Sequence, residues 1–305
     1  LVTDLELDLA KFMRINTGLN YGARGTAVDA WSDVAGAGAM MDSVGVPMSD
    51  NKYYLMNPFT TTSLASAQSG LNAADGLVRT AFEKAQIASN FGGMKALTSN
   101  ALSSYTSGST TDRSGDLKTA PDATYVTAKD TMQQTMVIET LGTGTIEAGD
   151  QIQIAGVNRL NIATRQLILD ATGAAVPWTG TVLSVVTIAG NEATVVVSGA
   201  AIFEANGQYN NVDAAPAAGA VVTILGAAGA VYQPNLFYTE QAFGLGTVKL
   251  PKLYSTDTVA TTSDGMSIRV SKYSDGDANT QKIRFDLLPA YACFNPNFAG
   301  QGYGV

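Results

Sequence analysis

The stretch Thr135–Val157, TMVIETLGTGTIEAGDQIQIAGV, decides the fold class of this 305-residue chain. It holds two short runs that are typical of β-strands, Met136–Ile138 and Gln151–Ile154, and the second alternates polar and apolar residues. Alternation with a period of two indicates a strand with one buried face. The turn pair Gly149-Asp150 lies directly before the second run. The pattern therefore predicts short strands joined by turns.

Three further strands are predicted downstream, over Val182–Ile188, Thr194–Val197 and Val221–Leu225, and helical periodicity is nearly absent from Thr131 to Ala230. Gly190-Asn191 lies between two valine-rich runs and is a hairpin signal of the two-residue kind. The charge also changes here, because residues 131–235 contain no lysine and only two arginines against seven acidic residues. We predict a β-barrel-like module at 131–230, inserted into a host of mixed structure, which gives an α+β fold.

The residues before this module predict helices and one strand. Apolar residues at helical spacing over residues 1–15 indicate a helix, and a second helix is expected from Thr26, with Asp29 as its capping partner. Tyr53–Met56 is typical of a strand that stops before a proline, because the residue before proline avoids the helical region. Thr62–Ser69 and Asp75–Ala88 are two further predicted helices.

After Pro234 the host is expected to resume. Thr247–Leu250 is predicted to be a strand, and Met266–Tyr273 is expected to pair with Lys282–Leu288 in a long hairpin, because both runs alternate. The tail Tyr291–Val305 is aromatic and rich in glycine, and it is expected to lie along a neighbouring subunit. The chain is thus divided into segments 1–130, 131–230 and 231–305.

Composition excludes several classes of chemistry. The chain has no histidine and one cysteine, so imidazole-based catalysis and Cys/His zinc sites are excluded. Charged residues make up only 14% of the chain and the net charge is −8, which argues against a wide basic face for nucleic acid. No apolar run approaches the roughly 20 residues that cross a bilayer. Small residues in place of charges fit either an ordinary Ala/Gly-rich domain or a subunit that packs against its own copies.

Candidate chemical sites are few. Asp275, Asp277 and Asn279 have the spacing of the first calcium-loop ligands, but the sixth position is Thr280 instead of glycine, so a solvated hairpin turn explains them better. Cys293 has no basic neighbour in sequence and is interpreted as a small buried apolar residue.

Two further pairs of residues are predicted to have no chemical role. Glu204 and Asp213 are expected to be surface charges, because no substrate-binding motif lies near them. Trp31 and Trp178 are expected to anchor the core. No catalytic, metal or cofactor site is therefore predicted.

A charged group lies in Ser/Thr-rich sequence just before the β module. Its members are Arg113, Asp116, Lys118, Lys129 and Asp130. A group of this kind is usually a solvated loop. The alternative prediction is that these residues form ion pairs across a subunit boundary, which would set partner choice more than affinity.

Several segments, in the same order, resemble successive parts of the major coat proteins of tailed double-stranded DNA phages. They are Leu1–Ala10, Gly25–Met41 and Tyr53–Pro58, followed by Thr135–Val157 and Ser274–Gly300. The greatest similarity is to the coat proteins of short-tailed Salmonella-type phages, which carry an inserted β-barrel, the I-domain. The resemblance covers nearly the whole chain, although no single motif is specific.

The resemblance implies the capsid fold named after phage Hong Kong ninety-seven, with a spine helix, a peripheral domain and an axial domain. Leu1–Arg14 would be the end of the spine helix, and the rest of that helix would lie upstream. It also implies a homo-oligomer of hexamers and pentamers, scaffolding and portal proteins as assembly partners, and enclosed double-stranded DNA. The expected locations are the virion capsid and, during assembly, the host cytoplasm. No cofactor, membrane contact or enzymatic activity is implied.

Two other classes stay open at this point. An extracellular adhesin or surface-layer protein suits the acidic, Ala/Thr/Gly-rich composition, but it predicts tandem strand repeats that the sequence lacks. An enzyme that works with carboxylates alone requires a cleft with acidic residues of shifted pKa.

Overall fold

A computed structural model describes residues 2–70, 79, 83–263 and 265–305. It shows a mixed fold in which strands outnumber helices. The helices are α1 (Val2–Ile15), α2 (Trp31–Val44), α3 (Pro58–Gly70) and the single turn α4 (Tyr125–Ala128), with a 3-10 turn at Pro296–Phe298. No helix in these ranges is long and apolar enough to cross a membrane.

Strands make up most of the remaining regular structure. They are β1 (Leu19–Tyr21), β2 (Lys52–Met56), β3 (Asn90–Phe91), β4 (Met94–Thr98), β5 (Tyr105–Thr106), β6 (Ser114–Leu117), β7 (Gln133–Glu139), β8 (Thr145–Ile146), β9 (Gln151–Asn158), β10 (Pro177–Val182), β11 (Val186–Thr187), β12 (Ala193–Ser198), β13 (Val221–Ile224), β14 (Val231–Tyr232), β15 (Asn235–Thr239), β16 (Phe243–Thr247), β17 (Thr258–Thr261), β18 (Ser267–Asp275), β19 (Thr280–Asp286), β20 (Pro289–Cys293) and β21 (Ala299–Gly302).

A closed barrel is formed by six strands in the order β10-β12-β7-β6-β13-β9. Its inward side chains form one core, in which Ile138, Ile152, Trp178, Val195 and Val222 are fully buried. The barrel strands begin at β6, so one of them lies in the segment 1–130 of the predicted division, and the division itself stays a prediction. The predicted strand over 182–188 is wrong, because the chain leaves the barrel after β10 and β11 pairs with β8 instead.

A mixed six-stranded sheet forms the second core, in the order β1-β21-β15-β2-β4-β3. Helix α2 packs on this sheet, and Tyr54, Met56 and Phe237 are buried between them. Residues 299–302 of the tail lie inside this sheet as β21, parallel to β1 and antiparallel to β15, so they pack within their own subunit. A contact of the tail with a neighbouring subunit stays a prediction. Gly300 permits this close packing, since a Cβ there would lie 2.2 Å from the Phe237 ring.

Helix α2 starts later than predicted. Its first residue is Trp31, because the carboxylate of Asp33 accepts hydrogen bonds from the backbone N–H groups of Asp29 and Ala30 at 3.1 Å. Thr26 therefore lies outside the helix. Trp31 is 47% exposed, so its expected core role is wrong, whereas the core role of Trp178 is confirmed.

The other helix predictions have mixed outcomes. The first helix is confirmed as α1, and the one predicted at 62–69 is confirmed within the longer α3. The helix predicted at Asp75–Ala88 lies largely outside the described residues, and 85–88 are not helical.

A three-stranded antiparallel sheet, β17-β18-β19, lies after the barrel and confirms the predicted hairpin. Val270 pairs with Phe285, and Lys272 pairs with Ile283. Two-stranded ladders complete the fold, including β16 with β20. The strand predicted at 247–250 is wrong, because β16 ends at Thr247, opposite Pro289.

Candidate functional site at the junction of barrel and sheet

Arg113 belongs to the predicted charged group, and its side chain points into its own subunit. Its guanidinium donates hydrogen bonds to Ser107 Oγ at 2.8 Å and to the Leu225 carbonyl oxygen at 3.1 Å. A nitrogen of the same group lies 3.8 Å from Asp150 Oδ1. Partial burial lowers the pKa of Arg113, although the guanidinium stays charged at neutral pH. Arg113 therefore links the end of β13 to the turn at Asp150, within one subunit.

The other members of the group lie on the outer surface of the barrel or near it. Asp116 accepts a hydrogen bond from a threonine hydroxyl at 3.0 Å, and Lys118 forms an ion pair with Glu192, which raises the pKa of the lysine. Lys129 and Asp130 are exposed beside α4. The five residues thus do not converge on one site, and their role between subunits stays a prediction.

The structure instead gathers charged residues around Asp150, which is fully buried at the start of β9. Its carboxylate accepts hydrogen bonds from Ser107 Oγ at 2.8 Å and from the Gly108 backbone N–H at 2.9 Å. Two guanidinium groups flank it, with Arg113 at 3.8 Å and Arg24 at 3.9 Å. A buried charge requires compensation of this kind, because it has lost its hydration.

Arg24 connects this carboxylate to the C-terminal strand of the sheet. Its guanidinium donates hydrogen bonds to the Gly149 carbonyl oxygen and to Gln301 Oε1, both at 3.1 Å. It also lies 5.6 Å from the ring centre of Tyr303 and 5.7 Å from that of Tyr232, within cation–π range. Burial lowers the pKa of Arg24. Arg24 therefore joins the barrel turn at Gly149-Asp150 to β21.

The C-terminal end of α1 lies beside the same barrel turn. Arg14 stacks on the Tyr105 ring, with 4.3 Å from its guanidinium carbon to the ring centre, and donates a hydrogen bond to the Ala148 carbonyl oxygen at 3.3 Å. Burial lowers the pKa of Arg14 to about 10. The Gln301 amide donates to the Arg14 carbonyl oxygen at 3.1 Å. Helix, barrel and sheet are thus joined by one polar network.

A second contact between barrel and sheet centres on Arg159, which is also buried. Its guanidinium donates hydrogen bonds to the carbonyl oxygens of Gly18 and Thr179, and to Asn297 Oδ1 at 3.2 Å. These acceptors are neutral, and burial lowers the pKa of Arg159 to about 9. Because a buried cation depends on each acceptor, Arg159 fixes the position of the barrel against the chain at Gly18 and at the 3-10 turn.

The sequence analysis missed this junction. Residues 131–235 contain no lysine and two arginines, Arg159 and Arg165. Asp150 was predicted only as part of a turn. A lone charge beside an alternating strand is the one local feature that could have drawn attention to Asp150 and Arg159. Their partners, Arg24 beside Asp150 and Asn297 beside Arg159, are distant in sequence, so these partners could be identified only from the tertiary fold.

The two acidic residues and the cysteine considered as candidate catalytic groups have structural roles. Glu204 accepts the Tyr125 backbone N–H at 2.9 Å and Asp213 accepts the Asn158 backbone N–H at 2.8 Å, so both are half-buried acceptors instead of free surface charges. Cys293 is half-buried, and burial raises the pKa of its thiol to about 12, which disfavours the nucleophilic thiolate.

Within the described ranges, no group of three or more His, Cys, Asp or Glu side chains is placed to hold a metal ion. Asp275 pairs with Lys282 at 3.2 Å, which agrees with a solvated hairpin turn.

One open cleft of about 740 Å³ lies beside α2, and Tyr21, Met40, Ile168 and Val176 are part of its largely apolar lining. Asp170 lies on its wall, where the Thr172 hydroxyl and nearby backbone N–H groups lower the pKa of its carboxyl. The lowered pKa keeps Asp170 ionised at neutral pH, which does not suit the role of a general acid.

Comparison with known proteins gives two matches. The family model described as P22 coat protein, gene protein 5, matches residues 1–304. The major capsid protein of Acyrthosiphon pisum secondary endosymbiont phage 1 is 46% identical over 309 residues, which cover 100% of this chain and 72% of that relative.

Proposed function

We propose, from the premise that the chain belongs to the P22 coat protein family, that it assembles into an icosahedral shell of the type named after phage Hong Kong ninety-seven. The chain is a phage major capsid protein with a structural role, and the virion capsid is its location. The observation that carries the proposal is the family match over residues 1–304, together with 46% identity to a major capsid protein along the whole chain. An adhesin or surface-layer role has no support from these matches.

We assign the parts of that fold as follows. Helix α1 is the end of the spine helix, the six-stranded sheet and the sheet β17–β19 belong to the peripheral and axial domains, and segment 131–230 is the I-domain. The separate cores of barrel and sheet support an inserted barrel domain, because each buries its own apolar side chains. Leu117 of the barrel core lies before residue 131 and Ile168 of the sheet core lies within 131–230, so the two cores do not follow these boundaries.

The barrel is proposed to stabilise the subunit and to guide its folding. The buried contacts of Asp150, of Arg159 and of the adjoining turn at Ala148-Gly149 support this role, because they tie the barrel to the end of α1, to the chain around β1 and to β21. Burying such groups costs free energy unless every partner is in place, so they favour one arrangement of barrel and sheet over others.

In assembly, the subunit is proposed to occupy pentamers and hexamers, with scaffolding and portal proteins as partners in the host cytoplasm. Double-stranded DNA would be enclosed without sequence-specific binding. The net charge of −8 supports this, since like charge repels the packed phosphates over about 10 Å at 0.1 M salt. No catalytic step belongs to this role.

Electron microscopy of the purified protein tests the proposal. Co-expression with the scaffolding protein of the same phage is expected to give closed shells of uniform diameter. A protein that stays monomeric under these conditions, with no particles in the micrographs, would contradict the proposed assembly.

A further inference from the structure

An open cavity of about 430 Å³ lies between the end of α1 and the barrel turn 147–150. Lys11 and Arg14 line it from α1, where residues three apart share one face of the helix. Strand β5 forms part of its other wall. The cavity is several times larger than the roughly 30 Å³ that one water molecule occupies in the liquid, so it has room for a small ligand.

The Arg14 guanidinium at this cavity is buried and makes few hydrogen bonds. Arg14 is 4% exposed, and among the described residues its guanidinium donates one hydrogen bond, to the Ala148 carbonyl oxygen at 3.3 Å. A guanidinium carries five N–H donors, and the neighbouring Arg113 donates four hydrogen bonds. Arg14 Nε is buried with no hydrogen-bond partner in the described part of the chain. Buried polar groups are nearly always hydrogen-bonded, so the free donors of Arg14 call for a further acceptor.

One buried carboxylate, Asp150, lies among three guanidinium groups. Arg113 and Arg24 flank it at 3.8 and 3.9 Å. Burial and the nearby positive charge of Arg24 lower the pKa of Arg14, so like charges face one another here. A buried cation that lacks a carboxylate of its own costs free energy, and an anion beside Arg14 would offset that cost.

The other two charged residues that line the cavity are Lys11 and Glu147. Lys11 is exposed and forms no ion pair with a described residue. The Glu147 carboxylate accepts a hydrogen bond from the Thr145 hydroxyl at 3.2 Å, and no ion pair joins it to the cations of α1 within the described ranges. With the three guanidinium groups and Asp150, four cations therefore stand against two carboxylates, in a chain whose net charge is −8.

We propose that this cavity binds free inorganic phosphate, with the Arg14 guanidinium and the Lys11 ammonium group as its cationic contacts. Both kinds of group are common phosphate ligands. Thr106 and Ser109 line the same cavity, so hydroxyl donors add to the two cations, which suits a tetrahedral ion better than a planar carboxylate. The bound ion stabilises the contact between α1 and the barrel. The inference concerns the single subunit and does not depend on shell assembly.

Melting temperatures of the unassembled full chain, in phosphate and in chloride of the same pH and ionic strength, test the site. Phosphate is expected to raise the melting temperature of the wild-type chain, because an ion that binds only the folded state stabilises it. Phosphate is also excluded from protein surfaces, which adds a non-specific rise shared by all variants. Lys11→Met should therefore show a smaller rise than Lys129→Met, which removes an exposed lysine beside α4. An equal rise in these two variants would overturn the site.

Isothermal titration calorimetry with inorganic phosphate measures the affinity directly. Lys11→Met is expected to lower the affinity at least tenfold, and Glu147→Gln is expected to raise it several-fold, because it removes the one negative charge that lines the cavity. Equal melting temperatures of both variants and wild type in chloride would show that they are folded. Affinities that do not change in either variant, or no binding to the wild-type chain, would overturn the proposal. So would acetate that binds as tightly as phosphate, because it would assign the cavity to a carboxylate of another chain.

Discussion

The barrel and the sheet β17–β19 are both antiparallel β-structures with alternating sequences, yet they place their apolar residues on opposite sides. In the barrel, Trp178 and Val195 point inward and are fully buried. In the three-stranded sheet, Ile283 and Phe285 point outward, and Arg269 lies underneath. Alternation therefore predicts that a strand exists, but it does not tell which face meets the rest of the subunit. Substitutions in the barrel should lower subunit stability, whereas substitutions of Ile283 or Phe285 should change it little.

The largest effect is expected at the centre of the barrel. Trp178→Ala should lower the free energy of unfolding by about 3–5 kcal/mol, because it leaves a cavity in a closed core. Urea denaturation of the unassembled subunit measures this. Trp31→Ala is the matched control, since Trp31 is half exposed, and its effect should be clearly smaller, about 1–2 kcal/mol. Equal losses for both variants would contradict the account of the barrel core.

The junction is expected to show the next largest effect. Asp150→Ala should cost about 3 kcal/mol, because it leaves the buried Arg24 and the partly buried Arg113 beside each other without the carboxylate. The control is Asp130→Ala, which removes an exposed carboxylate and should be nearly neutral. Denaturant unfolding measures the free energy of unfolding of both variants. A neutral Asp150→Ala variant would show that the network does not hold the barrel in place.

Substitution of Gly300 and of Gly276 compares the packing of the six-stranded sheet with that of the turn between β18 and β19. Gly300→Ala should cost about 1–3 kcal/mol, because its Cβ would lie 2.2 Å from the Phe237 ring and 2.7 Å from Leu19 Cβ. A Cβ at Gly276 meets nothing within 4 Å, so Gly276→Ala should be neutral within about 0.5 kcal/mol. Melting temperatures of the two variants give the comparison, and a reversed order would contradict the packing of β21.

The buried tyrosines should each contribute a loss of subunit stability at alkaline pH. Burial raises the pKa of Tyr303 and of Tyr238 to about 12, against an ordinary value of 10. Between pH 10 and 12 the unfolded chain loses these protons and the folded chain keeps them, so stability is full below pH 10 and falls as pH rises through this window. The slope is at most about 1.4 kcal/mol per pH unit for each tyrosine. Tyr303→Phe should reduce the slope measured by denaturant unfolding from pH 9.5 to 11.5, and an unchanged slope would contradict the assignment.

Local patterns were enough to predict α1, the hairpin of β18 and β19, and several barrel strands, because each depends on neighbouring residues. The location of β21 was not predicted, since its partners β1 and β15 are distant in sequence. The start of α2 was missed because Asp33, and not Thr26, accepts the first N–H groups. The junction of Asp150 and Arg159 depends on tertiary contacts that no spacing in the sequence encodes.

Hydrogen exchange measured by mass spectrometry, on the unassembled subunit and on closed shells, tests the contrast between the two β regions most directly. Amides of β7, β9 and β12 are expected to exchange slowly in both states, because the barrel is complete within one chain. Amides of β19 are expected to exchange faster than those of the barrel in the unassembled subunit, because β19 is an edge strand whose side chains are largely exposed. Equal exchange of β19 and the barrel strands in the subunit would contradict this contrast.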